Sequence, residues 1–202
     1  MKKEYSKTEI KIKTAAKSLF LKKGYSATTT REIAKKSNIN LALLNYYFTS
    51  KWKLFEIIMF ETLFDFLSKM VEVYNDEKTS LEDKIKLTCE KYIDMTIAEP
   101  LLPTFVLNEL KNNPTSFLKM PSTKMIMKSR LVTQYQDGVK KGIYAKIEPI
   151  HFVTNIMSLI VFPFMCSPIL MKMEKLNTEE FNNLMHERKK SIPKWIIKMI
   201  KK

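Results

Sequence analysis

The sequence predicts an all-α protein: a small N-terminal three-helix domain followed by a larger helical domain, about nine helices in all. Three observations carry this. Glycine is scarce, with only Gly24, Gly138 and Gly142 in 202 residues, which leaves little room for phosphate loops or tight hairpins. Apolar residues recur at steps of three and four, and no alternating strand pattern or internal repeat is visible. Start and stop signals divide the chain at short intervals, with breaks at Asn75-Asp76, Glu99-Pro100, Asn113-Pro114, Gly142 and Pro168.

Ser6-Lys7-Thr8-Glu9 reads as a capping box, in which a hydroxyl serves a free N–H and a glutamate three residues on reaches back. Ile12, Ala15, Ala16, Leu19 and Phe20 then follow at helical spacing, and Gly24 supplies a left-handed stop. Thr29-Thr30-Arg31-Glu32 is a second capping box, opening a short helix through Lys36. A very short helix spans Asn40 to Tyr47. Thr49-Ser50 opens a long one, from about Lys51 to Tyr74. Further helices are predicted near 80–98, 103–112, 116–141, 149–165 and 177–200, with Pro193 kinking or restarting the last. The domain boundary is placed within the long fourth helix, giving domains of 1–52 and 53–202.

Residues 30–49 fit a helix-turn-helix. Ala34 is the small residue where the two helices approach. Asn38, four positions on, occupies a turn that needs positive φ, and Asn tolerates that region next best after Gly. Ile33, Ile39 and Leu44 supply the apolar contacts between the helices. The competing account is an ordinary helical hairpin in a basic protein. Two features argue against it: the amphipathic helix in front, which would supply the third wall of a three-helix domain, and the tail Leu44-Asn45-Tyr46-Tyr47-Phe48-Thr49-Ser50-Lys51. The charge is concentrated in the same region. Residues 1–55 hold thirteen Lys/Arg and three acids, so +10 of the net +14 lies in the first quarter of the chain. Such a concentration points to a polyanion partner.

Gly24-Tyr25, Thr28-Thr29-Thr30-Arg31-Glu32-Ile33-Ala34 and Tyr46-Tyr47-Phe48-x-x-Lys51-x-x-Leu54 together resemble the N-terminal signature of the tetracycline-repressor (TetR) family. The resemblance covers about the first 60 residues. Beyond them the likeness is only in size, helix content and order. It implies a DNA-binding domain followed by a ligand-binding and dimerisation domain. Thr29 and Thr30, at a helix N-terminus, would hold a phosphate. Arg31 would reach phosphate or a guanine edge. Asn45, Tyr46 and Tyr47 would donate to phosphates, the tyrosines' alternative being packing beside Phe48. Lys51 would add a charged phosphate contact. Where the family often carries polar, glycine and threonine base-reading positions, this chain has Leu41, Ala42 and Leu43. Those side chains can touch thymine methyl groups but cannot hydrogen-bond to base edges, so an AT-rich, near-palindromic operator is expected. Asn45 also stands where a tyrosine is common.

Twelve of the thirteen methionines follow residue 55. They read either as plain helical core or as an adaptable apolar cavity. The resemblance places a cavity among the middle helices, with Phe64, Tyr92, Met95, Phe105 and Tyr135 as lining residues and a small apolar or amphipathic effector as the ligand. The last two long helices are expected to form a homodimer interface through Phe152, Ile156, Leu159 and Ile160 on one, and Phe181, Leu184, Met185, Arg188, Ile192 and Trp195 on the other. Phe152–Met171 carries no charge, but its Thr154, Asn155, Ser158, Ser167, Pro163 and Pro168 favour a buried helix over a membrane span.

No phosphate loop, nucleophile elbow, His-Glu-x-x-His or Cys/His cluster is present, and His151 and His186 are isolated. An enzyme, a metal site and a cofactor are therefore not expected. Cys89 and Cys166 lie far apart, and the N-terminus lacks a signal peptide's apolar core, which together suggest a reducing cytoplasm. The alternative to a ligand-released repressor is a ligand-independent basic DNA-binding or scaffold protein.

Overall fold

The computed structural model describes residues 5–112, 114–115 and 126–202. Ten helices lie among them: α1 Lys7–Ala27, α2 Thr30–Ser37, α3 Leu41–Tyr47, α4 Lys51–Asn75, α5 Leu81–Ala98, α6 Leu102–Asn112, α7 Arg130–Lys140, α8 Pro149–Met165, α9 Ser167–Glu174 and α10 Thr178–Ile200. The β pairing among the described residues is an isolated antiparallel bridge between Tyr144 and Lys201. The chain divides into two compact units, Met1–Leu63 and Phe64–Lys202. The division falls inside α4, later than the expected 52/53 boundary. The reason is that the first turns of α4 are part of the N-terminal core, where Leu54, Phe55, Ile58 and Met59 are all buried.

In the first unit the capping boxes at Ser6/Glu9 and Thr29/Glu32 both form in full. Ile12, Ala16 and Phe20 line the buried face of α1 at helical steps. Gly24 breaks the helical path at φ 79°, and a last turn continues to Ala27. Phe20 meets Phe55 edge-on at 5.1 Å, and Tyr25 packs on Phe55 at 4.8 Å and on Trp52 at 5.7 Å. Those aromatic contacts fix where α4 starts relative to α1.

In the second unit α5 is the central helix, packed by α8, α10 and α7. Its inner face is Ile85, Cys89, Tyr92 and Ile93. The α4–α5 connection is held from inside by Lys84. This side chain is fully buried, and its ammonium donates to the carbonyls of Asp76 and Thr79 and to the Thr79 hydroxyl, so all three of its N–H groups are used. Burial lowers its pKa.

Two expectations in this unit are corrected. The predicted helix over 116–141 is seen as Arg130–Lys140, its first ten positions lying outside the described residues. Pro193 does not restart the last helix, which runs through it as one helix from Thr178 to Ile200. The short helix α9 comes in addition to those expected. The chain turns at Cys166, and Pro168 sits in the first turn of α9, where its missing N–H costs nothing. No single helix among the described residues is long and apolar enough to cross a membrane, and α8 and α9 meet at a 64° bend.

The segment after α7 is fixed by two close approaches. The Tyr135 hydroxyl lies 2.9 Å from the Ala145 carbonyl and 3.0 Å from that of Ile147, and it accepts from the Ile147 N–H at 2.9 Å. The Tyr135 ring stacks on Phe152 at 4.4 Å. Gly138 lies beneath the Tyr144 ring, and a Cβ there would sit 2.1 Å from a ring carbon. Gly138→Ala therefore displaces Tyr144 and is expected to destabilise the protein by about 1–3 kcal/mol. Chemical denaturation followed by circular dichroism checks this, and an unchanged midpoint would show that the ring moves freely.

Candidate nucleic-acid interface

The α2–α3 unit is built around its turn. Asn38 adopts the left-handed conformation at φ 55° and ψ 48°. The Ile39 N–H donates to the Ala34 carbonyl at 3.0 Å and the Asn38 N–H to that of Lys35 at 3.2 Å. This crossed pair closes α2 and serves carbonyls that the helix end would leave open. Ser37, buried, returns its hydroxyl to Ile33 O at 2.7 Å. Asn40 then caps α3, its side chain accepting from Leu43 N–H at 2.7 Å. Ile33, Ala34 and Leu44 are buried together, with Phe48 closing the far end.

This packing decides which side of α3 is free. Leu44 points inward. Ala42, Asn45 and Tyr46 are exposed, and Leu41, Leu43 and Tyr47 are partly so. Tyr46 is 80% exposed, its ring edge-on to Tyr47 at 5.3 Å. An apolar short helix that buries one residue and leaves its remaining length open is a surface available to a partner. Arg31 is exposed on α2, as are Lys35 and Lys36, the latter donating to Ser18 Oγ at 2.6 Å.

Two expected phosphate contacts are engaged within the protein. The Thr29 hydroxyl is part of the capping box, accepting from Glu32 N–H at 3.2 Å and lying 3.1 Å from the Glu32 carboxylate. The Lys51 ammonium faces inward, donating to the carbonyls of Tyr25 at 3.0 Å and Thr28 at 2.8 Å, and sits 4.3 Å from the centre of the Tyr25 ring. Glu32, which the sequence marks only as a capping residue, holds the front of α2 electrostatically as well. It pairs with Lys23 and accepts from the Thr29 N–H at 3.0 Å.

The other expected groupings separate by burial. A cavity of about 80 Å³ in the second unit is lined by Tyr74, Thr88, Tyr92, Ile126, Leu131, Val153, Ile156 and Met157. Of the five residues expected to line a pocket, Tyr92 borders this cavity and Tyr135 borders a separate, more open hollow of about 290 Å³ beside Val139, Ile147 and Pro149. Tyr135 is a buried structural pin, Phe105 is buried elsewhere, Met95 is half-buried and Phe64 is exposed. Burial holds Tyr74 near pKa 12 and Tyr92 well above the ordinary tyrosine value, so both phenols stay protonated around neutrality.

Among the residues expected at an interface, Phe152, Ile156 and Ile160 of α8 and Phe181, Met185 and Ile192 of α10 are buried in the unit's own core. A side chain already covered by its own chain cannot line a partner. Leu159 is half-buried, and its carbonyl accepts from Arg188 Nη2 at 2.7 Å. Leu184 and Trp195 point outward, 42% and 47% exposed, and the Arg188 guanidinium lies 5.3 Å from the Trp195 ring centre. No three of His, Cys, Asp and Glu come together as a metal site among the described residues.

Residues 12–58 match the family model described as bacterial regulatory proteins, tetR family. This span contains α2, the left-handed turn and α3. This N-terminal unit is similar to the DNA-binding domain of the TetR family of transcriptional regulators. The chain is 29% identical to a probable HTH-type transcriptional regulator, YttP of Bacillus subtilis, over 78% of this chain and 77% of the relative. It is 40% identical to the HTH-type transcriptional regulator QacR of Staphylococcus aureus over 41% of this chain and 46% of that protein. A TetR transcription regulator from Haloarcula marismortui shares its fold with a TM-score of 0.68 at 17% identity, over 98% of this chain and 100% of the other. The family likeness thus rests on the DNA-binding unit, and the fold likeness extends over the helical remainder.

The front of α2 gives this TetR-like domain a pH dependence. The Glu32 carboxyl is lowered from its ordinary 4.5 to about 2, chiefly by the hydrogen bond from Lys23 and then by the Thr29 N–H and hydroxyl. A carboxyl with a depressed folded-state pKa stabilises the fold above its unfolded value, and that contribution is lost as pH falls from 4.5 towards 2. Following the Glu32 side-chain carbon by NMR should give a midpoint well below 4.5, rising in Lys23→Met. A midpoint that stays put in the variant would transfer the effect to Thr29.

Proposed function

We propose that this protein is a TetR-family regulator, a cytoplasmic homodimeric repressor and not an enzyme, that reads a near-palindromic, AT-rich operator through α3. The observation that carries the proposal is the open face of α3: Ala42, Leu43, Asn45, Tyr46 and Tyr47 project from a helix whose position is fixed by the Asn38 turn. Leu41, Ala42 and Leu43 would touch thymine methyl groups in the major groove, while Arg31, Thr30, Tyr46 and Tyr47 would bind phosphates or a base edge. Two copies would present their α3 helices about one DNA turn apart.

Release would follow from a small apolar or amphipathic effector taken up around the Tyr74, Tyr92 and Met157 cavity. At about 80 Å³ the cavity is well below the volume of an ordinary ligand pocket, so uptake requires repacking, for which Met157 is suited. An effector acts only if it prefers a state that binds DNA less well, and α4, which is continuous across both units, would carry the difference. That small volume also favours a second reading, a ligand-independent DNA-binding protein of the same fold.

Selection of bound fragments from random duplex DNA tests the DNA reading. The wild-type protein should enrich an AT-rich inverted repeat, and Tyr46→Ala with Arg31→Ala should lose it. Equal binding to all fragments, with affinity set only by salt, would leave a nonspecific basic protein. The dimer is tested by mass in solution. Leu184 and Trp195 supply an outward apolar face next to the buried face of α10, so Trp195→Glu should yield monomers that remain folded. Ile192→Ala should instead cost about 2–5 kcal/mol of stability. A dimer mass that persists in Trp195→Glu would move the interface elsewhere.

A further inference from the structure

We propose that Lys51 governs DNA binding as a positioning residue, by holding the entrance of α2 in place from behind, and not by neutralising a phosphate. The inference rests on the DNA-binding reading above. It starts from Gly24, whose positive φ of 79° breaks α1 one turn before its end, and from the carbonyls of Tyr25 and the C-cap Thr28 beyond it, which the Lys51 ammonium reaches from the start of α4. A helix C-terminus carries partial negative charge on such carbonyls, and a cation is favoured there. Lys51 fills that role. Its ammonium donates to Tyr25 O at 3.0 Å and Thr28 O at 2.8 Å, with the face of the Tyr25 ring 4.3 Å away. Two of its three N–H groups are thereby used inside the protein.

The consequence lies in what Thr28 precedes. Thr28 is fully buried, and its hydroxyl lies 2.8 Å from Gly24 O. The next residue, Thr29, is the N-cap of α2, and Thr30 and Arg31 open that helix. A single ammonium therefore joins three elements: the end of α1 through Tyr25, the entrance of α2 through Thr28, and the start of α4 through its own backbone. Tyr25 is in turn held by Trp52 and Phe55, so the clamp is braced on the α4 side as well. Removing the ammonium takes the charged donor from Thr28 O, leaves Tyr25 O with the Thr28 N–H at 3.3 Å, and loosens the residues that aim the front of α2, and with them the α2–α3 pair.

Salt dependence separates positioning from charge neutralisation. Removing one lysine–phosphate pair lowers the slope of log K against log salt by about 0.9, whereas poorer alignment weakens affinity without that change. Binding of wild type, Lys51→Met, Lys51→Gln, Lys51→Arg and Lys35→Met is measured over about 50–200 mM salt, using a labelled duplex bearing the selected repeat and a labelled random-sequence duplex. Lys51→Met is expected to bind the repeat about tenfold more weakly with the wild-type slope, as the removal of charge-assisted hydrogen bonds implies. Lys51→Gln, which keeps a neutral donor, should recover part of the deficit, and Lys51→Arg most of it. Lys35→Met, on the exposed side of α2, should flatten the slope.

The free proteins are compared by amide NMR in parallel. Shifts centred on Tyr25 and Thr28–Glu32 in the Lys51→Gln variant are expected. A slope lowered by about 0.9 in both Lys51→Met and Lys51→Gln, with those amides unmoved, would overturn the positioning role and make Lys51 a phosphate ligand. Should Lys51→Met fail to fold, the Gln variant decides alone. Wild type that binds neither duplex would overturn the DNA reading itself, an outcome distinct from any change of slope.

Discussion

The left-handed turn at Asn38 is the constraint on which the DNA-binding unit depends. With φ at 55°, the backbone reverses within one residue, and the crossed hydrogen bonds from Asn38 and Ile39 end α2 while α3 is already being capped by Asn40. An ordinary residue is disfavoured in that conformation by roughly 1–2 kcal/mol, and Asn less so. Once the turn is set, Ala34 permits the close approach, Ile33 and Leu44 fill the space between the helices, and the outward face of α3 follows without further choice.

The first unit then adds supports from behind. Glu32 binds the Thr29 N–H and Lys23, which ties α2 back to the end of α1. Lys13 meets Glu61 at 2.6 Å, Lys17 donates to Thr62 at 3.1 Å and Lys51 reaches the Gly24 break. Several of the thirteen basic residues that mark this quarter of the chain as a polyanion binder are therefore engaged inside the protein. A charge total cannot distinguish a lysine that meets a phosphate from one that meets a carbonyl. What remains exposed, including Arg31 and Lys35, is the part of that charge still open to a partner.

The second unit shows a different economy of polar groups. Lys84 and the Tyr135 hydroxyl are buried and satisfied, and each fixes a connection between helices. Tyr74, Thr88 and Tyr92 border a cavity with a mostly apolar wall, and the Thr88 hydroxyl is itself engaged, donating to the Lys84 carbonyl at 2.6 Å. A small void with a methionine in its wall can change volume.

Much of the local structure was legible in the sequence because it depends on neighbours three or four residues apart. The capping boxes at Ser6 and Thr29, the backbone reversals at Gly24 and Asn38 and the bounds of α5, α8 and α10 all follow from such short-range rules. So did the helix-turn-helix itself. What the sequence left open depends on contacts far along the chain. Lys51 lies 23 and 26 residues from the carbonyls it binds, so no short-range rule in the sequence brings Thr28 and Tyr25 to it. The apolar steps of α10 marked Phe181, Leu184, Met185, Ile192 and Trp195 alike. Only packing against α5 and α8 assigned Phe181, Met185 and Ile192 to the interior and left Leu184 and Trp195 outside. Periodicity determines that a helix has an apolar side; which part of that side is covered is decided by where the neighbouring helices lie.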